Sequence, residues 1–350
     1  MITKNLTIAR ESRGLTQKDL CEKVDGLSQG NLSRMEKGLL PVSDDVIKSI
    51  SRVLNYPISF FSKEIVTTKD DSLFYRKRIT MTQRVLSKLE ARINIVCSII
   101  DGLLESVDVP ELSIPHVEVS GGLSPEQIAF NLRNYLRVPS GPIEGIVSLL
   151  EKRGVIVIFM DMGEKFDGVT KFTQRAQPIM CINSRISNDR KRFTIAHELG
   201  HLVMHLRSTD FAEDEKIMEY QANAFASEFL MPEVDCKADL RTLNYSKLPS
   251  LKMYWGVSKA AIIRRAYDLK CLSESTYRYY LMTLSKTGER KVERELINIR
   301  KPVVFKKIID LHREELGYSE DELTDLLGVH FSEIKSLFDA GSTTRLRVVV

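Results

Sequence analysis

His197, Glu198 and His201 stand in one short run, Phe193-Thr194-Ile195-Ala196-His197-Glu198-Leu199-Gly200-His201, that otherwise reads as buried helix. On an α-helix, residues four apart share a face about one turn apart, so the two imidazoles can each offer a ring nitrogen to one metal ion. Glu198 leans to the side of that pair. A carboxylate there cannot easily be a third ligand, but it can take a proton from a water held at the metal. The bland alternative is a solvated helix with satisfied histidines. The flanks Phe193, Ile195, Ala196, Leu199, Leu202 and Val203 argue against it, because they predict a largely buried helix whose polar groups need partners.

A catalytic zinc site needs a third protein ligand and an open fourth position. His205 continues the four-residue spacing, but on a straight helix it lies about 6 Å further along the axis, too far to close a compact site. Downstream, Met218 to Pro232 reads as a second apolar helix stopped by Pro232, and it carries two carboxylates, Glu219 and Glu228. The run R-F-T-x-A-H-E-L-G-H at 192–201, followed by E-x-x-A-N-x-F-A-x-x-x-L-M-P at 219–232, resembles the ImmA/IrrE family of bacterial metallopeptidases. The resemblance implies a zincin-like peptidase domain with one Zn2+ per chain, held by His197, His201 and Glu219. It also implies Glu198 as general base and a repressor-type or antitoxin-type protein as substrate, cut in stress or mobile-element control. Glu228, nine residues beyond Glu219, is then a surface residue or one that supports the ligands. Phe166 to Thr170 and Ile182 to Ser184 resemble the strands preceding the zinc helix in that family. Tyr220 and His205 are weak candidates to stabilise the oxyanion.

Residues 1–63 form a second unit. Asn5 to Arg13 predicts a short helix ending at Gly14; Thr16 caps another through Val24, and Ser28 caps a third to Lys37, stopped by Gly38. Two short helices joined by a tight turn fit a helix-turn-helix. The words L-T-Q-K-D-L and S-x-x-N-L-S-R-M-E-K-G are similar to the Xre/Cro-type repressors. That resemblance implies a five-helix fold whose Gln29, Asn31, Ser33 and Arg34 face the major groove, with Ser28 beside them and Gln17 and Lys37 on phosphates. Ten basic against seven acidic residues over 1–63 is a modest surplus, so operator DNA is expected to be bound by a homodimer on two half-sites.

Elements that position these units follow from periodicity. Residues 64–108 read as a polar linker followed by an amphipathic helix from Thr82 to Val107, with the basic run Phe74-Tyr75-Arg76-Lys77-Arg78 between them. Within 109–285, the expected peptidase domain, helices are predicted from Ser124-Pro125 and from Gly141 to Arg153. Strands are predicted at 154–159 and 178–182, and a capped helix at 259–269 with Arg264 and Arg265 exposed. The remainder, 286–350, predicts a helical C-terminal module. It comprises a charge-dense stretch at 288–301 of solvated-helix type, helices at 302–315, 319–327 and 331–338, and a possible edge strand at 345–350. The fold class is therefore mainly α with a small β-sheet.

Net charge is only +4, so nucleic-acid binding must come from a local surface. Five scattered cysteines without a C-x-x-C pair suit free thiols in a reducing cytoplasm. The N-terminus lacks the apolar core of a signal peptide, and no membrane contact is expected. A competing reading keeps the operator-binding unit and makes the protein a non-cleaving repressor or antitoxin whose metal domain senses or scaffolds. Glu198 speaks against it, since a structural zinc site has no use for a base.

Overall fold

The computed structural model describes residues 2–65, 82–119, 122–207 and 214–339. The basic run at 74–78 and the edge strand expected at 345–350 lie outside them, as does most of the polar linker.

The first sixty residues form α1 (Ile2–Ser12), α2 (Gln17–Cys21), α3 (Gln29–Glu36), α4 (Asp44–Leu54) and a 3₁₀ turn (Ile58–Ser62). Thr16 and Ser28 cap α2 and α3 as expected, the first in a reciprocal capping box with Asp19. Leu6, Leu20, Leu32 and Ile50 fill the interior. Arg10 ties α1 to α3 through two hydrogen bonds to the Glu36 carboxylate, at 2.7 and 3.0 Å.

The long helix α5 (Gln83–Leu103) ends four residues before the predicted Val107. Its apolar stripe widens toward the C-terminal half, where Ile93, Ile95, Val96, Cys97, Ile99 and Ile100 are all buried. Then come α6 (Pro125–Tyr135), capped by Ser124, and α7 (Ile146–Glu151). The latter is shorter than the predicted Gly141–Arg153 helix, because Gly141 adopts φ +88° and Gly145 is still non-helical.

Strands β1 (Ile156–Met160), β2 (Gly168–Phe172) and β3 (Pro178–Asn183) form one sheet in the order β1-β3-β2. β1 runs parallel to β3 with Ile156 opposite Ile179, and β2 runs antiparallel with Gly168 opposite Ile182. Both faces are apolar, so the sheet divides two cores. Ile156, Ile158 and Cys181 face the first, with α5 and the N-terminal helices; Val157, Phe159, Met180 and Ile182 face the second.

That second core is built by α8 (Asn188–Met204), α9 (Glu215–Leu230), α10 (Glu233–Arg241), α11 (Leu248–Trp255), α12 (Lys259–Asp268) and α13 (Glu274–Lys286). The last helices, α14 (Val304–Glu314), α15 (Glu320–Leu327) and α16 (Phe331–Asp339), return to the first core. There Phe305, Ile309, Leu323 and Ile334 pack with α5 and the N-terminal unit, and Arg13 meets Glu333 at 2.6 Å. No helix among the described residues is long and apolar enough to cross a membrane.

The charged stretch 288–301 is not the helix its mixed signs suggested; no helix or strand forms over 289–303. Its acids face buried lysines instead. Lys252 contacts Asp189 and Glu293 at 3.1 and 2.7 Å, and Lys259 contacts Glu289 and Glu295 at 3.0 and 2.8 Å.

Gly154, just before β1, has φ +83°, and a Cβ there would sit 2.5 Å from the Glu111 carbonyl oxygen. Backbone cannot yield as a side chain can, so Gly154→Ala is expected to cost roughly 2–4 kcal/mol. Urea unfolding of the full chain measures it, and a loss below about 0.5 kcal/mol would contradict the close approach.

Candidate metal centre

Helices α8 and α9 lie side by side, and small residues let them approach. A Cβ on Gly200 would come within 3.1 Å of the Phe225 ring and 3.3 Å of the Ala222 Cα. Arg192 anchors the first half of α8. Buried, it donates to the carbonyls of Gly256 (2.9 Å) and Ile143 (2.6 Å), and Gly256, at φ +67°, leaves the space its guanidinium needs.

This contact brings His197, His201 and Glu219 together, with one ligand atom from each within 4.8 Å of the others. The two Nε2 atoms stand 3.0 Å apart. Glu219 turns one oxygen to each ring, at 3.7 Å from His197 and 3.5 Å from His201. Ligand atoms at about 2.1 Å around a tetrahedral ion stand about 3.4 Å from one another, so this triangle has the size of one face of such a site. Side-chain exposures of 14, 11 and 24% leave the cluster partly open, as a site with a free fourth position must be. Burial alone would raise the Glu219 carboxyl, but the facing imidazoles outweigh it and hold the group well below the usual carboxylate range.

Three residues that the spacing did not single out as supports orient the two rings. The Asn223 side-chain oxygen lies 3.1 Å from His197 Nδ1, and its amide donates to the Glu219 carbonyl at 2.8 Å. If Nδ1–H donates to Asn223, the Nε2 lone pair is left for a metal. On the other ring, His201 Nδ1 meets His205 Nδ1 at 2.9 Å, and His205 Nε2 meets the Gln221 oxygen at 2.8 Å. Gln221 can only accept there, so His205 carries its proton on Nε2 and accepts from His201 through Nδ1. That again leaves His201 Nε2 bare. Burial first, and the His201 ring next, push His205 down to about 4, which keeps it neutral for this role. His205 is thus neither a ligand nor free to donate to an oxyanion. The four-residue spacing His197, His201, His205 carried a signal for its place, as did Asn223 one turn after Glu219.

Glu198 is buried and adjoins His197 in the chain without joining the candidate cluster. It lies on the sheet side of α8, near enough to β3 that, after burial and Cys97, it helps push the Cys181 thiol up. Glu228 is not at the surface. It pairs with Arg265, which is buried rather than exposed, and accepts the Glu233 backbone N–H at 3.0 Å. Tyr220 is 67% exposed. It lines a cavity of about 1210 Å³ that excludes the three candidate ligands but begins at Asn223, beside His197.

In the N-terminal unit, Ser28, Gln29, Asn31, Arg34 and Lys37 are exposed along α3, and Ser33 is half-buried. Gln17, half-buried, donates to Glu36 at 2.9 Å.

Comparison with known families finds a match for each unit. Residues 6–61 match the helix-turn-helix family and residues 150–267 match Peptidase_M78, the IrrE N-terminal-like domain. The chain is also similar to uncharacterized immunity region protein 2 of Bacillus phage phi105. The identity is 32% over 83 residues, which are 22% of this chain and 52% of that protein, so the chain spans about half the length of this relative.

Proposed function

From a chain that joins a helix-turn-helix DNA-binding domain to an IrrE N-terminal-like domain of metallopeptidase type, we propose a transcription regulator that is also a zinc-dependent endopeptidase. The observation that carries this reading is the triangle of His197, His201 and Glu219 beside a buried Glu198 outside it. A nitrogen-rich set with one carboxylate suits zinc, one ion per chain. Held there, the metal supplies a Lewis acid that polarises a peptide carbonyl and acidifies water. Glu198 accepts the proton of the attacking water and returns it to the departing amine. Asn223 and the His205–Gln221 pair hold the two rings in the ligating tautomer.

The substrate is a repressor-type regulatory protein, in mobile-element or stress control; the phage immunity-region relative supports the first setting. The proposed domains keep the boundaries read along the sequence, 1–63, 64–108, 109–285 and 286–350, although the first, α5 and the last share one core; the compartment is the cytoplasm, in keeping with five free thiols. The test is to incubate the zinc-loaded chain with the repressors encoded beside its gene and with itself. One discrete cut, abolished by chelation, is expected; intact proteins throughout would overturn the peptidase reading.

DNA is read by α3 in a homodimer. Arg34→Ala is expected to weaken operator binding by about 1–3 kcal/mol and to relax specificity at one base pair. Gel-shift titration against single-base operator variants measures it, and a uniform loss across all variants would assign Arg34 to phosphate instead.

A further inference from the structure

We propose that the cavity beside the metal centre takes an acidic segment of the protein substrate, about four residues from the scissile bond. The proposal rests on the peptidase reading and adds the substrate's chemistry to it. The cavity runs from Asn223, hydrogen-bonded to His197, along α8 to Asn188, which donates to the Ile297 carbonyl at 2.8 Å. His197 lies nine helical steps from Asn188, a rise of about 13 Å, or four extended residues.

Its wall is charged on both signs, but four of its six acids are tied to two buried lysines. Asp189 and Glu293 are spent on Lys252, Glu289 and Glu295 on Lys259, and both lysine side chains are no more than 3% exposed. Burial works against the Asp189 carboxylate, yet the Ser187 hydroxyl and Lys252 hold it below its usual range.

The cations face outward. Arg185, Arg190 and Arg264 line the cavity with 58–59% of their side chains exposed. Arg290 and Lys291 line it too, exposed and without a carboxylate partner among the described residues. The carboxylates that meet Arg185 and Arg190 belong to Asp161 and Asp167, outside the lining. Asp268, exposed and paired with Arg264, and the half-buried Glu126 are the remaining acids of the lining. Such surface pairs exchange partners at little cost. Between the cations, Val292 and Leu296 are 78 and 81% exposed on the extended wall. Two exposed apolar side chains among exposed cations, beside a peptidase centre, match an extended acidic peptide better than a nucleic-acid strand, which asks for a run of stacking platforms where the lining offers one exposed aromatic ring, Tyr220.

The experiment uses the full-length, zinc-loaded Glu198→Gln protein and a labelled peptide whose apolar centre is flanked by glutamates, compared with its glutamine counterpart by fluorescence anisotropy. The acidic peptide is expected to bind about tenfold more tightly at low salt, with the advantage shrinking as salt is raised. Arg190→Glu with Lys291→Glu, both exposed positions, should erase it. Equal binding of the two peptides, or a preference that survives the double variant, overturns the proposal. So does an oligothymidylate that outcompetes the acidic peptide and is itself lost in the double variant. Because the readout is binding without turnover, a wild type that cuts nothing defeats the peptidase reading, whatever the peptides show here.

Discussion

Glu198→Gln is expected to reduce peptide cleavage by about 10²–10⁴-fold while leaving metal content and folding stability at wild-type values. The change keeps shape and hydrogen-bonding capacity and removes only the ability to take a proton. Glu198 is outside the ligand cluster, so the three groups that would hold the metal are untouched. Its burial matters to the size of the effect, since few waters can substitute for it. Single-turnover cleavage of the identified substrate, alongside zinc quantification, measures both halves. Cleavage within twofold of wild type would remove Glu198 from the reaction. Loss of metal together with cleavage would mean that it acts as a ligand.

Glu228→Ala is expected to cost about 3–5 kcal/mol of folding stability, because it strands a buried guanidinium. Arg265 is 5% exposed, donates to the Glu228 carboxylate, and also donates to the Met231 carbonyl at 3.0 Å. The pair therefore ties the end of α9 and its Met231-Pro232 turn to α12. A paired replacement, Glu228→Leu with Arg265→Met, removes both charges and should cost markedly less, since no buried ion is left unmatched. Urea unfolding of the three proteins tests this; a paired variant as unstable as the single one would show that packing, not charge, holds the joint.

The meeting of His197 and His201 was legible because its main determinant is local. Four-residue spacing on one helix places His197 and His201 together whatever the rest of the chain does, and the caps at Thr16, Ser28 and Ser124 are equally local. Glu219 was reached through the resemblance, since spacing alone left Glu228 as a rival; only the packing of α8 on α9 brings Glu219 forward and turns Glu228 toward Arg265.

What depended on distant partners stayed hidden. The mixed charges of 288–301 look like a solvated helix until Lys252 and Lys259, thirty or more residues before the acids they meet, are found buried beneath them. Arg265 looked exposed for the same reason. His205 was dismissed as a ligand by its position along the helix, and the structure gives it other work: it ends α8 and carries a hydrogen bond from His201 to Gln221. The return of α14 to α16 onto α5 and the N-terminal helices, with Arg13 meeting Glu333 across more than three hundred residues, has no local signature.

The account turns on three side chains holding one ion, and zinc stoichiometry tests that most directly. Purified wild type should carry about one zinc per chain that a chelator removes, and binding measured by competition should weaken by at least about tenfold in Glu219→Ala and in His201→Ala. Wild-type affinity in both variants would contradict the assigned centre, and with it the peptidase built upon it.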